Sequence, residues 1–245
     1  MVTGAGGAIG SAVVAAVRHA GGTTIATDLA AGTGADTPLD VTSESDWQRV
    51  TADIERDHGR LDGLVNAAGI AAVGSIEKTD FASWRRVLSV NLDGTFLGCK
   101  HMFALLRKRG GSIVNLSSVL GLVGSANLPA YSASKGGVSL LSKSVALHGA
   151  RYKPAVRCNA VCPAFVDGPM VDDIAHSTNS AGPTPCTNDS SGYCIALMQV
   201  PAITSARTPK RTARGTTTGR ITRRPRKIDA SDTSTSGKGT PARNR

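Results

Sequence analysis

The sequence of 245 residues contains no uncharged apolar run that is long enough to cross a lipid bilayer, which takes about 18 residues or more. Its first residues also lack the basic segment followed by an apolar stretch that is typical of a secretory signal. These two absences argue against a membrane span and a signal peptide. We therefore expect a cytoplasmic protein without a membrane partner.

Cysteine and histidine are scarce, and neither is arranged as a metal site. The five cysteines match no close-paired metal spacing and no redox dipeptide pattern. The five histidines show no ligand spacing either. We therefore expect reduced thiols and a site without metal.

Negative charge is scarce toward the C-terminus, where positive charge accumulates. Residues 176–245 contain 12 of the 28 Lys and Arg but only 3 of the 18 acidic residues, so the net charge of +10 is concentrated there. The segment is rich in Thr, Arg, Ser, Pro and Gly, a composition that cannot offset its ordering entropy by burial. We predict a disordered basic tail over residues 176–245.

Residues 1–175 alternate between short runs rich in β-branched residues and longer segments of helical length. The runs that we predict as strands are 23–28, 61–65, 112–118 and 155–163. Residues 43–59 begin with Ser43 and nearby acidic residues, which indicates a helix start, and place Trp47, Val50 and Ile54 at helical spacing. This alternation predicts one α/β domain, a parallel sheet with helices on both faces.

A glycine-rich motif, "TGAGGAIG", occupies residues 3–10. Glycines at a strand end let the backbone approach a pyrophosphate, and the following helix presents free N–H groups and the positive end of its dipole. A plain turn is the alternative, because glycine-rich turns are common. Asp28 favours a dinucleotide site, since it ends the next strand where a carboxylate can accept both ribose hydroxyls, although it could also cap a helix.

A second motif, "YSASK", places Tyr131 four residues before Lys135, on the same side of a helix. A cation about 4 Å from the phenol, at an effective dielectric near 20, is worth roughly 4 kcal/mol and would lower the pKa of Tyr131. Tyr131 would then be usable as an acid and a base. The alternative is a solvated pair on a helix face. Ser118, at the preceding strand end, could hold a substrate oxygen against the phenol and favours the catalytic interpretation.

In this order the motifs resemble the short-chain dehydrogenases/reductases, over about residues 2–173. The resemblance rests on the two motifs above with Asp28, and on "LDV" (39–41), "VNAAG" (65–69), "VNLDGTF" (90–96), "IVNLSS" (113–118) and "VRCNAVCPAFV" (156–166). It implies a Rossmann-like doubly wound sheet and an oxidoreductase that uses a nicotinamide cofactor, without metal, on an alcohol or ketone.

The same resemblance implies a role for each matching residue. Ser118 would bind the substrate oxygen and Tyr131 would transfer the proton. Lys135 would lower the pKa of Tyr131 and bind the nicotinamide ribose, while Asn91 would hold a water linking Lys135 to solvent. The cofactor would contact Gly4, Ile9, Gly10, Asp28, Asp40, Val41, Asn66, Gly69 and Val166, as well as Tyr131 and Lys135.

Substrate and cofactor preferences follow from neighbouring residues. Apolar side chains expected near the site favour a hydrophobic secondary alcohol: Leu120, Val123, Leu128 and Phe165. Two short segments, "FLGCK" (96–100) and "SVALHGARYKPAVRCN" (144–159), also resemble bacterial hydroxysteroid and cyclic-alcohol dehydrogenases. Asp28 followed by Leu29 predicts NAD rather than NADP, because a 2′-phosphate would meet a carboxylate with no guanidinium beside it. The resemblance further implies a homodimer or homotetramer through helices at about 81–109 and 131–149.

Several positions depart from the family pattern. Ala8 stands at the usual middle glycine, and Gly168 at a threonine that often helps to bind the cofactor. Only Met1 and Val2 precede the glycine motif, and the composition changes after about residue 175. We expect that both ends differ from a functional relative through sequence or gene-model error, which would make this chain a poor enzyme. The alternatives are a catalytically impaired dinucleotide-binding protein and, less favoured because charge runs are usually solvated, a tail that binds nucleic acid.

Overall fold

The structure is a computed structural model that describes residues 1–30, 32, 34–178 and 195–198. All of these residues lie in one compact unit, Met1–Thr204. Most of the predicted basic tail, including the second unit Ser205–Arg245, lies outside the described residues. Two described segments lie beyond residue 175, where the composition indicated the boundary: the last helix continues to Thr178, and the strand Ile195–Met198 joins the sheet although the sequence predicted a disordered tail there.

The described residues form a seven-stranded sheet in the order β3-β2-β1-β4-β5-β6-β7. The strands are β1 (Val2–Thr3), β2 (Ala26–Asp28), β3 (Thr37–Pro38), β4 (Gly63–Asn66), β5 (Gly111–Leu116), β6 (Val156–Pro163) and β7 (Ile195–Met198). Neighbouring strands from β3 to β6 are parallel, and β7 runs antiparallel to β6. The predicted parallel sheet is confirmed.

Six α-helices lie in the described residues: α1 (Ala8–His19), α2 (Glu44–His58), α3 (Phe81–Leu88), α4 (Gly94–Leu106), α5 (Pro129–Gly149) and α6 (Pro169–Thr178). A π-helical turn, Ser89–Asp93, joins α3 to α4, and a 3-10 turn, Val119–Gly121, follows β5. The start of α2 is as predicted, because the Ser43 hydroxyl accepts a hydrogen bond from the Asp46 N–H at 3.2 Å.

Two apolar clusters place helices on both faces of the sheet. The larger cluster joins Trp47 of α2 and Met102 of α4 to strand residues such as Leu64 and Ile113, and Val145 of α5 packs against it. The smaller cluster packs Val14 of α1 against β1 and β2. Burial on both faces explains why the central strands are apolar runs rather than alternating ones. This confirms the predicted doubly wound α/β architecture.

Strand β1 is short but central. Val2 pairs with Ala26 of β2 and with Val65 of β4, so the two residues of β1 link both halves of the sheet. The strand itself is two residues long. Among the described residues, no helix is long and apolar enough to cross a membrane.

Candidate active site

A cleft of about 470 Å³ opens at the edge of the sheet where the parallel strands end. Segments that follow six strands line it, and α5 adds two further side chains. The predicted site residues in the lining are Gly4, Ile9, Gly10, Asp28, Asp40, Val41, Gly69, Ser118, Tyr131, Lys135 and Val166. The topology thus brings all but two of the predicted residues to one place.

The turn after β1 depends on glycine at two points. Gly4 has φ +64°, and a Cβ there would lie 2.7 Å from the backbone of Ala68. A Cβ on Gly10 would lie 2.0 Å from the Gly4 carbonyl oxygen. No side chain caps α1 at Gly7. The turn therefore leaves the helix N-terminus open toward the cleft, which is the geometry of an anion-binding cradle.

Two carboxylates, those of Asp28 and Asp40, also line the cleft. Asp28 accepts hydrogen bonds from the N–H of Gly6 at 2.9 Å and of Leu29 at 2.8 Å. Asp40 accepts from the N–H and hydroxyl of Thr42 at 2.8 and 2.7 Å. Asp28 therefore holds the glycine turn in place as well as offering a carboxylate to the cleft.

Lys135 reaches the cleft from α5 although it is only 4% exposed. Its Nζ donates a hydrogen bond to the Leu116 carbonyl oxygen at 2.7 Å. Burial lowers the pKa of Lys135 to about 8, and an electrostatic interaction with Cys162 opposes this shift. The Ser117 hydroxyl also donates to the Lys135 carbonyl oxygen at 2.7 Å, which ties β5 to α5 at this point.

Tyr131 differs from the expectation in one respect. Burial raises the pKa of Tyr131, and a hydrogen bond with the Ser118 side chain opposes the increase. The Lys135 Nζ lies 5.6 Å from the centroid of the phenol ring and donates to Leu116 instead. The expected lowering of the pKa of Tyr131 by Lys135 is therefore not present in this structure.

Asn66 and Asn91 are the two predicted site residues that do not line the cleft. Asn66 is buried, and its Nδ2 donates to Asn115 Oδ1 at 2.8 Å. Asn91, in the π-helical turn, accepts from the Ile70 N–H at 2.9 Å and donates to the Ile70 carbonyl oxygen at 3.0 Å. Asn66 thus joins neighbouring strands, whereas Asn91 holds the loop beside Gly69.

The structure also places groups at the cleft or beside its residues that the motifs did not reveal. Ser134 accepts a hydrogen bond from Asn91 Nδ2 at 3.0 Å, and the Leu116 carbonyl oxygen holds Lys135. The cleft is further lined by Arg86 of α3 and by α6 residues Pro169, Met170, Val171 and Ile174. No local signal marks the backbone carbonyl, but Ser134 lies within the "YSASK" motif, one residue before Lys135.

Curated relatives share much of this sequence. The NADP-dependent (R)-specific alcohol dehydrogenase of Lentilactobacillus kefiri is 42% identical over 137 residues, which are 55% of this chain and 54% of that protein. The cyclopentanol dehydrogenase of Comamonas testosteroni is 38% identical over 151 residues, 60% of each chain. The 2-(S)-hydroxypropyl-CoM dehydrogenase 3 of Xanthobacter autotrophicus is 39% identical over 185 residues, 67% of this chain and 70% of that protein. The chain thus spans only about half of the first of these relatives.

A solved structure and a family comparison agree with these relatives. The ligand-free aldohexose dehydrogenase of Thermoplasma acidophilum superposes with a TM-score of 0.67 at 36% identity, covering 74% of this chain and 72% of that one. The family described as short chain dehydrogenase matches residues 1–179. That match includes the glycine turn and all of the cleft lining described above. The chain therefore belongs to the short-chain dehydrogenase family.

Proposed function

We propose that the chain is an NAD-dependent oxidoreductase that interconverts a hydrophobic secondary alcohol and its ketone, with Tyr131 as the acid and base. The observation that carries this proposal is that Ser118, Tyr131 and Lys135 line the same cleft as the glycine turn and Asp28. The names of the relatives support alcohol chemistry, since they include an alcohol dehydrogenase and a cyclopentanol dehydrogenase.

The cleft fits a nicotinamide dinucleotide. Gly4 and Gly10 put no side chain at the two tightest points of the turn, and the N-terminus of α1 is open. Asp28 and Asp40 line the same cleft, where they would contact the ribose and the adenine. Val41, Gly69 and Val166 would complete the walls. When bound, the nicotinamide ring supplies or accepts the hydride of the reaction.

Residues of the chain donate and accept the proton of the reaction. In ketone reduction the Tyr131 hydroxyl donates its proton to the carbonyl oxygen, and in alcohol oxidation the phenolate accepts it. An ordinary phenol is already protonated at neutral pH, and burial raises the pKa of Tyr131 further, so the resting form is the one that donates in ketone reduction. The Ser118 hydroxyl, which interacts with Tyr131, holds the substrate oxygen against the phenol.

Lys135 and Asn91 would replace the proton that Tyr131 gives up. A Cβ on Gly69 would lie 3.4 Å from both Lys135 Nζ and Asn91 Oδ1, so glycine leaves space between these two polar groups. In that space Asn91 would hold a water linking Lys135 to solvent. The lowered pKa of Lys135, about 8, suits proton exchange near neutral pH.

The substrate end of the cleft is apolar. Leu120, Leu128 and Phe165 line it as the sequence predicted, and Met170 of α6 adds to them. Val123 does not line the cleft and is 56% exposed, because it lies beyond the 3-10 turn. This lining supports a hydrophobic alcohol rather than a charged substrate.

The preference for NAD rests on charge near Asp28. Residues 28–36 contain no Lys or Arg, and Leu29 is 72% exposed. The nearby Arg18 guanidinium is engaged by Asp36 at 3.0 Å. A 2′-phosphate would therefore meet the Asp28 carboxylate without a free cation from this loop. The relative from Lentilactobacillus kefiri is NADP-dependent, so a comparison of NAD with NADP tests this preference.

We also propose that α4 and α5 form a subunit interface. Both helices carry exposed apolar side chains, Phe96 on α4 and Leu140 and Leu147 on α5. Leu140 and Leu147 are seven residues apart and therefore share one face of α5, and contiguous exposed apolar groups are typical of surfaces that pair between subunits. Light scattering after gel filtration is expected to give two or four times the chain mass of 25.1 kDa, and Leu140→Lys is expected to reduce it.

The test of the proposed reaction is a screen of hydrophobic secondary alcohols with NAD and with NADP, followed by the absorbance of the reduced cofactor. Turnover with NAD supports the proposal. Calorimetric binding of NAD without turnover of any alcohol or ketone would instead favour a catalytically impaired dinucleotide-binding protein. A chain that binds neither dinucleotide would contradict both.

A further inference from the structure

Ala8, the first residue of α1, and Gly168, the residue before α6, lie close together in the lining of the cleft. A Cβ built on Gly168 would lie 3.0 Å from the Cβ of Ala8. This separation is well below ordinary van der Waals contact between carbon atoms, which is about 3.5 Å or more. A side chain at position 168 would therefore require Ala8 or Gly168 to move by a few tenths of an ångström.

The backbone at Gly168 explains why the contact matters for α6. Gly168 has φ +155°, and its carbonyl oxygen accepts hydrogen bonds from the N–H groups of Val171 at 2.9 Å and Asp172 at 3.2 Å. These bonds form the first turn of the helix. A shift of Gly168 would therefore carry the start of α6 with it.

Each partner of this contact also belongs to the cleft. Ala8 lies in the glycine turn at the open N-terminus of α1, and α6 contributes Met170 and Ile174 to the lining. The close approach of Ala8 and Gly168 thus connects the glycine turn to the helix that lines the cleft beside it.

We propose that Ala8 and Gly168 are a matched pair of positioning residues that seats α6 on the dinucleotide turn and so sets the width of the cleft. This inference rests on the proposed dinucleotide site. A side chain at position 168 pushes α6 away from Ala8 and widens the cleft around the bound dinucleotide. Removal of the Ala8 methyl group makes room for that side chain.

A double-mutant cycle tests the pair, with Ala8→Gly, Gly168→Ala and the double variant. Binding of NAD is measured by calorimetry and the melting temperature by circular dichroism. Gly168→Ala is expected to raise the Kd about ten-fold, and Ala8→Gly about two-fold. The double variant is expected to recover most of the loss caused by Gly168→Ala. Where turnover is measurable, Gly168→Ala raises the KM for NAD more than it lowers kcat, because Tyr131 and Lys135 stay in place.

Gly21→Ala is the matched control, because Gly21 has φ +78° but no atom within 4 Å of a built Cβ. It is expected to lower the melting temperature through backbone strain and to leave the Kd unchanged. The proposal is overturned if the double variant binds NAD as weakly as Gly168→Ala, since backbone strain alone would then explain the loss. If the wild type binds neither NAD nor NADP, the proposed function fails, and non-additive melting temperatures still decide whether Ala8 and Gly168 are coupled.

Discussion

Strands β1, β2 and β3, which carry the proposed dinucleotide end of the cleft, are two or three residues long, whereas β4, β5 and β6 have four, six and eight residues. The longer strands and the 21 residues of α5 hold the proposed catalytic end. There Lys135 and Ser118 are buried and tied to β5 or its following turn by hydrogen bonds.

The difference shows two ways of building a site. The dinucleotide end depends on positions that lack a side chain, such as Gly4 and Gly10, and on backbone N–H groups. The catalytic end depends on particular side chains whose pKa values are changed by burial. Substitutions at the dinucleotide end should therefore weaken cofactor binding through steric clash. Substitutions at the catalytic end should instead change proton transfer.

Lys135→Met is expected to have the largest effect because Lys135 serves both ends. It removes the ammonium beside Tyr131 and the ribose contact proposed for the cofactor. We expect kcat/KM to fall about 100-fold or more, with a higher Kd for NAD. Lys143→Met, an exposed lysine on the same helix, is the control and should retain wild-type kinetics.

Gly10→Ala should selectively weaken binding of the dinucleotide. Its Cβ would lie 2.0 Å from the Gly4 carbonyl oxygen, so the turn must open. The Kd for NAD is expected to rise at least about ten-fold, or about 1.4 kcal/mol, in a calorimetric titration. Gly124→Ala, where a Cβ meets no atom within 4 Å, should bind as the wild type does. Equal binding by the two variants would contradict the steric role of Gly10.

Asp28→Asn should weaken the preference for NAD over NADP. It keeps an acceptor for the Gly6 N–H but removes the charge that opposes a 2′-phosphate. The ratio of kcat/KM for NAD over NADP is expected to fall about ten-fold. Asp28→Ala should narrow the ratio as well but weaken both cofactors, because the glycine turn loses its acceptor. A wild type that uses both cofactors equally would refute the preference.

A smaller effect is expected on stability as a function of pH. In the folded chain burial lowers the pKa of Lys135 to about 8 from the usual 10.5, so the folded state releases this proton first as the pH rises. Between about pH 8 and 10.5 the unfolded state binds more protons, and the contribution of Lys135 to stability increases. Relative to Lys135→Met, the melting temperature of the wild type should therefore rise from pH 7 to pH 10. A constant difference would contradict the burial of a charged lysine.

Much of the fold could be predicted from local patterns. The predicted strands overlap β2, β4, β5 and β6, and the Ser43 cap marked the start of α2 within one residue. Strand β3 was missed because Thr37–Pro38 is too short to show a period. The inward position of Asn66 could have been inferred, because Asn66 follows Leu64 by two residues on β4. It therefore lies on the same face of the strand, which packs against α4.

The rest of the site depends on contacts between distant residues. Ala8 and Gly168 were recognised only as separate departures from a family pattern, and only the structure brings them together. The rise in the pKa of Tyr131 likewise comes from burial, which the four-residue spacing to Lys135 does not reveal. Spacing in a sequence identifies which groups share a helix face, but the fold decides how far water is excluded from them.

The most direct test of the central claim compares Tyr131→Phe with the wild type in turnover and in NAD binding. The substitution removes the transferable proton but little contact area with the cofactor. We therefore expect loss of turnover with a nearly unchanged Kd for NAD. If Tyr131→Phe keeps more than about a tenth of the wild-type kcat, a loss of less than about 1.4 kcal/mol, Tyr131 is not the acid.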